Sequence, residues 1–411
     1  MAPPVLYTLT SGLHGEMVRD ARREPFIREI ETALGTEFAW RDADFSAYGC
    51  SDAPELIYVR TGGTEGLFLD HVVPRLRDKV RQQPVRLLTS GQSNSLAASM
   101  EILSWLRQQG LAGEILHGSP AEIATRILHP ETLAEKDLTE PLTPETFGRL
   151  LDGKRYGVVG HPSDWLISSA VDYAAARENL GAELIDIPIS ALVAEAAEGR
   201  WELPEGLDLQ ALNPPRYGRK IDAQDWEGAL AIYGALKRLI ARYRLDGLTL
   251  RCFDLLTALH NTGCLALAIL NTEGYTATCE GDIPAMLSMA VARERTGSAS
   301  FQVNLSRIDG DDLLFAHCTV PFSIVHAYRY DTHFESGIGV AIHGELSEGP
   351  VTLFKLSPDF RSMLRREARL TANAYGDNLC RTQVIVRARG VADYFLHTPI
   401  GNHHIIVPGK L

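Results

Sequence analysis

The chain has 411 residues, a net charge of −12, 45% hydrophobic residues and 22% charged ones. That length fits two or three domains of ordinary globular composition, and the acidic balance lacks the basic surface a nucleic-acid binder needs. No run of about 18 apolar residues is present to span a membrane, and the opening "MAPPVLYTLTSGLHGEMVRD" has neither the basic start nor the apolar core of a signal peptide.

In chain order, "VLYTLT" is strand-like and "EMVRDARREPFIREIETAL" has helical periodicity. "ELIYVRTGGTEG" is a strand entering a Gly-rich turn, and "VRLLTSGQSNSLAASMEILSWLRQQG" is a strand, a loop and a helix ending in Gly. "GEILHGS" adds a short strand. Strands alternating with helices predict a parallel sheet, assigned to an N-terminal α/β domain over 1–155. The pattern restarts with "YGVVGHPSDWLISSA", "AELIDIPISALVAEAAE", "GLTLRCFDLLTAL" and "GYTATCEGDIPAMLSMAVARERTG", which predict a second α/β domain over 156–297. Segment 198–226 between them reads as an irregular excursion. From 298 the pattern changes to short alternating strands and close turns, which predict a mostly antiparallel, barrel-like domain over 298–411. The fold class is therefore α/β: two doubly wound, Rossmann-like domains followed by a β-rich one.

Two acids stand together in "TATCEGDIPAML". Asp282, followed by Ile283 and Pro284, reads as a helix N-cap with proline in the first turn. Glu280 closes a strand-like stretch and has no such structural duty. In open α/β sheets, ligands bind outside the carboxyl ends of the strands, so Glu280 is the first candidate. Seven of thirteen histidines lie at or beyond 317: His317, His326, His333, His343, His397, His403 and His404. Strand alternation groups His317 with Leu313 and Phe315, sets Gln302, Asn304 and Ser306 on one face, and turns His403 away from His404. There is no HxH or HExxH spacing, so the residues alone support only a hard or borderline divalent metal held by Glu280 and late histidines. "TGGTEG" and "VVGHPSDW" match no nucleotide-binding fingerprint, and no nucleotide cofactor is expected. Arg381 is read either as a substrate contact or as the neutraliser of a carboxylate such as Glu335. The six cysteines have no paired spacing and read as reduced thiols of a cytoplasmic protein.

The ordered set "RCFDLL", "ATCEGDIPAMLSM", "SFQVN", "LLFAHCTVP" and "GNHHIIVPG" resembles the L-fucose isomerase and L-arabinose isomerase superfamily, most closely from about 246 onward. "TGGTE" is similar to a segment of that family's first domain. The resemblance implies a divalent-metal ketol isomerase acting on a sugar, usually with manganese and with magnesium or cobalt as alternatives, organised as a homo-oligomer. It implies that Glu280 binds metal and moves a proton, that His317 and His403 bind metal, with His404 an alternative to His403, and that Asn304 stands where the fucose branch has a metal-binding, proton-carrying aspartate. An asparagine oxygen can ligate a hard metal, but its amide exchanges no proton at neutral pH. His317 or a metal-bound water would then carry the second proton, or a hydride shift would replace the proton transfer. Arg251, His333, Glu335, Arg381 and Asn402 are the expected substrate contacts. The expected pocket lies between the carboxyl end of the second sheet and the β-rich region. Two other readings stay open: a sugar-binding protein that lost the chemistry, and a metal-dependent lyase or epimerase.

Overall fold

The computed structural model describes residues 2–12, 21–77, 83–130, 137–204 and 220–411. Helices are mixed with two parallel sheets and a closed six-stranded antiparallel barrel. The first sheet holds β1 (Val5–Leu9), β2 (Ala39–Asp42), β3 (Glu55–Val59), β4 (Val85–Leu88) and β5 (Gly113–Leu116), in the order β2-β1-β3-β4-β5. "VLYTL" and "ELIYV" are buried throughout, without alternation, as expected for a parallel strand covered on both faces. The predicted helix over 16–34 begins at Pro25, where proline fits the first turn and Gly35 closes the other end at φ 68°. Its residues 16–20 lie outside the described set.

β6 (Thr139–Pro141) precedes the second sheet, which comprises β7 (Arg155–Val159), β8 (Glu183–Ile187), β9 (Gly247–Leu250) and β10 (Thr276–Cys279) in the order β10-β9-β7-β8. Of the expected irregular excursion, residues 205–219 lie outside the described set, and a helix capped by Asp222 begins at Ala223. In both sheets the chain places successive strands first to one side of a central strand and then to the other. That reversal falls between β1 and β3 in one sheet and between β7 and β9 in the other. Such reversals open a crevice at the strands' carboxyl ends.

The barrel strands are β11 (Phe301–Asp309), β12 (Asp312–His317), β15 (Gly349–Leu356), β16 (Ser362–Ala374), β17 (Thr382–Arg387) and β18 (His404–Pro408). They run β15-β18-β11-β12-β17-β16, and the β15–β16 pairing closes the ring. The short β6, from within the first predicted segment, adds to the barrel at β16, while β13 (Val325–Asp331) and β14 (Ala341–Leu346) form a separate hairpin. Pairing of Asn304 with Ala316 and of Val303 with His404 fixes the level of the barrel at which β11, β12 and β18 meet. All six cysteines are free thiols. Among the described residues no helix is long and apolar enough to cross a membrane.

Candidate active site

Glu280 follows the last residue of β10 and adopts a left-handed backbone at φ 65°. That conformation is uncommon for a residue with a side chain. Gly281 continues it at φ 69°, where an added Cβ would lie 2.4 Å from the His161 carbonyl oxygen. The turn is anchored on several sides. Gly281 N–H donates to Leu250 O, and Glu280 O accepts from Ser163 N–H. Cys279 N–H donates to Gln302 Oε1 at 2.8 Å, which ties the end of β10 to the barrel. Asp282 then caps the Ile283–Thr296 helix, accepting from Ala285 N–H at 2.6 Å, as the sequence predicts.

The other oxygen of that cap has a second partner. Asp282 Oδ2 accepts the Nδ1–H of His403 at 2.9 Å and lies 3.5 Å from the buried ammonium of Lys355. Burial works against the Asp282 charge, but Lys355 and His403 outweigh it and hold the carboxyl well below its usual range. An ionised carboxylate only accepts, so the His403 Nδ1 carries the proton. Its Nε2 lies 3.4 Å from Glu280 Oε1 and has no hydrogen-bond partner. Burial also disfavours charge on His403, yet Glu280 and Asp282 push its pKa up to about 10.

His317 completes the group. One ligand atom each from Glu280, His317 and His403 lie within 4.8 Å of one another. The His317 and His403 ring centroids are 5.5 Å apart, and the Thr319 hydroxyl is 3.0 Å from His317 Nδ1. Burial, helped by the charge of His403, drops the His317 pKa to about 4. The Glu280 carboxyl, raised by burial, is pulled below its usual range by the two histidines and by the Trp165 indole N–H, which donates to Oε2 at 2.6 Å.

A cavity of about 420 Å³, its mouth included, opens beside Glu280. The second sheet supplies Trp165, Phe253 and Glu280, and the β-rich region supplies Asn304, Glu335 and Asn402. A third wall, absent from the sequence expectation, comes from the first sheet: Gly62, Gly63 and Glu65 after β3, then Asn94, Ala97 and Ala98 after β4. The site therefore lies where all three sheet systems meet. Asn304 Oδ1, Asn402 Oδ1, Asn94 Oδ1 and Glu65 Oε2 are buried without hydrogen-bond partners. Glu335 accepts from Asn94 Nδ2 at 2.8 Å, and burial together with the Glu280 charge raises its pKa to about 7.

The remaining sequence candidates are placed elsewhere. His404 cannot replace His403, because its Nδ1 meets the Asn402 carbonyl and its Nε2 meets the Tyr394 hydroxyl, both at 2.9 Å. Arg251 is held by Asp254, Asp164 and the Pro162 carbonyl, and lies outside the cavity lining. Arg381 donates to the Thr332 carbonyl and faces Asp331 at 3.7 Å, while Glu335 accepts from Asn94. His333 contacts the Ser336 hydroxyl and the edge of Phe253, just behind the lining.

Two residues that the sequence left unmarked matter here. In the sequence Glu65 carries no signal of its own beyond the glycine turn and the "TGGTE" resemblance that contain it. Glu101, on the Ser95–Gln108 helix, accepts from the backbone N–H groups of Ser168 at 2.7 Å and Asn402 at 2.8 Å, and from the Ser169 hydroxyl. It looks like one polar position of an amphipathic helix, and only the packed structure reveals its partners.

No protein-family model matches this chain. The chain is similar to proteins named sulfoquinovose isomerase from Priestia aryabhattai and Priestia megaterium, 31% identical over 130 residues in each case. That stretch is 30% of this chain and 29% of each relative, so less than a third of the relatives' length is matched.

Proposed function

We propose that this chain is a divalent-metal-dependent sugar isomerase interconverting an aldose and a ketose, with a fucose- or arabinose-type ketol isomerisation. The observation that carries this reading is the convergence of Glu280, His317 and His403 within 4.8 Å. Beside them, His403 Nε2 and Asn304 Oδ1 are buried without partners. Buried polar atoms seldom stay unpaired, and a cation would take both. Two imidazoles, a carboxylate and an amide oxygen suit a borderline divalent ion, and manganese is the one we assign, with magnesium or cobalt as substitutes. The shared name of the relatives supports sugar isomerisation in general. Their own substrate is not carried over.

When bound, the ion supplies positive charge that stabilises negative charge developing on the sugar oxygens. The chain's own groups do the rest. Glu280 takes the carbon-bound proton and returns it to the neighbouring carbon. The Trp165 N–H donates to Glu280 Oε2 and fixes the orientation of that carboxylate. Asp282 holds a proton on His403 Nδ1, so that Nε2 would face the ion and offer its lone pair once its own proton is displaced. Asn304 orients by its amide and moves no proton. We read the three parts of the chain, 1–155, 156–297 and 298–411, as the domains that assemble this site, in a cytoplasmic homo-oligomer.

A second reading, a sugar-binding protein without turnover, is favoured only by the amide at 304. Both are tested by stripping the purified protein with a chelator, reloading it with manganese, measuring bound metal, and screening aldoses and ketoses for interconversion. Stoichiometric metal with turnover supports the isomerase. Metal and sugar binding without turnover supports the second reading, and failure to bind any divalent ion sinks the metal assignment.

A further inference from the structure

An aldose–ketose isomerisation moves two protons, one between adjacent carbons and one between their oxygens. Glu280 serves the carbon-bound proton in the reading above, and Asn304 can serve neither. Two other protonatable side chains line the described cavity, Glu65 and Glu335. Glu335 is half-buried, with Oε1 engaged by Asn94. Glu65 is only 2% exposed, and its Oε2 has no partner. It follows the turn after β3 on the wall built by the first sheet, whereas Glu280 follows β10 on the wall built by the second.

We propose that Glu65 is the second proton carrier of this site, exchanging the oxygen-bound proton of the sugar through its unpartnered Oε2. The inference rests on the isomerase reading. In the aldose-to-ketose direction, Glu280 takes the C2 proton and the C2–H electrons form the C1–C2 double bond. The Glu65 carboxyl gives its proton to the C1 oxygen, producing an enediol. Glu65, now ionised, withdraws the proton of the C2 hydroxyl as the C2 carbonyl forms. The double-bond electrons take the proton on Glu280 to C1. Both carboxyls end as they began, and nothing is consumed. The environment supports the starting state: burial raises the Glu65 carboxyl well above its usual range, and the charges of Glu101 and Glu280 add to this.

Glu65→Gln keeps the shape and removes the transferable proton. Turnover is expected to fall by about 100- to 10,000-fold, with bound manganese and melting temperature unchanged, and Glu65→Asp should recover part of it. Infrared spectroscopy of the metal-loaded proteins at neutral pH should show a protonated-carboxyl stretch in the wild type that Glu65→Gln lacks, a readout that needs no substrate. Wild-type turnover retained in Glu65→Gln would overturn the inference and leave the isomerase reading intact. So would loss of metal or of fold in both variants, or the absence of that infrared band. A wild type that converts no sugar sinks the isomerase reading itself.

Discussion

Glu280 and Asp282 are two residues apart and carry different duties, which substitution can separate. Glu280→Gln retains volume but loses the negative charge and the base. Turnover should fall by about 100- to 10,000-fold, and wild-type turnover at saturating metal would remove this residue from the mechanism. Asp282→Asn keeps a cap-competent oxygen, so the helix should lose only a few tenths of a kcal/mol from capping, well under the ~1 kcal/mol typical of an alanine cap. It can also present an amide N–H to His403 and favour the wrong tautomer. Metal affinity should then fall by about 10- to 100-fold, as read by competition with a chelating dye. Unchanged affinity would confine Asp282 to capping the helix and countering the buried Lys355 ammonium. Asn304→Asp adds a charge beside the two histidines and should tighten metal binding in the same assay. Glu280 was legible in the sequence because it had no local role to play. The second role of Asp282 was not, because its partner His403 is 121 residues away and only the β11–β18 register brings it back. The choice between His403 and His404 needed the same register.

At the scale of elements, the turn Cys279–Asp282 holds the candidate base in place through backbone conformation. Gly281→Ala must place a Cβ 2.4 Å from the His161 carbonyl and 2.7 Å from Pro162 Cα, at φ 69°. A left-handed alanine alone costs about 1–2 kcal/mol, and this clash is with backbone, which yields little. Gly297→Ala is the control: φ is 71° at the end of the next helix, with nothing within 4 Å of the added carbon. Both variants should melt earlier, but only Gly281→Ala should also lose turnover in the fraction that stays folded at low temperature. Equal activity in the two would mean that this turn does not set the position of Glu280. Most strands of both sheets were readable from hydrophobic runs and caps, and the barrel from alternation. β2 and the Ala223–Tyr243 helix were not, and among the described residues no helix follows β7 before Tyr173. Closure through β15 and β16, and the recruitment of β6 from residues 139–141, depend on long-range pairing that no local pattern encodes.

The whole molecule meets in one place, and Glu101 is the side chain that shows how. It stands on the helix between β4 and β5 of the first sheet, yet its carboxylate accepts from the loop after β7 and from the strand entry at Asn402. It thereby links the three parts of the chain at the rear of the cavity, next to an asparagine that lines it. Sequence placed the pocket between two of these parts, because "TGGTEG" and the polar positions of the Ser95–Gln108 helix carry no signal for what they face. Glu101→Ala would leave the buried Ser168 and Asn402 N–H groups without acceptors. Each such orphan costs about 1–3 kcal/mol, so a marked loss of stability is expected by calorimetry or denaturant titration. Glu101→Gln restores one acceptor oxygen and should fall between the wild type and Glu101→Ala. The site should respond selectively in both: Asn402 shifts and the sugar KM rises, whereas Glu280, His317 and His403, none of which bonds to Glu101, keep their metal. A Glu101→Ala protein with wild-type stability would show that the junction is held by apolar packing alone. One that loses metal in proportion to stability would show that the metal group and the junction form a single cooperative unit.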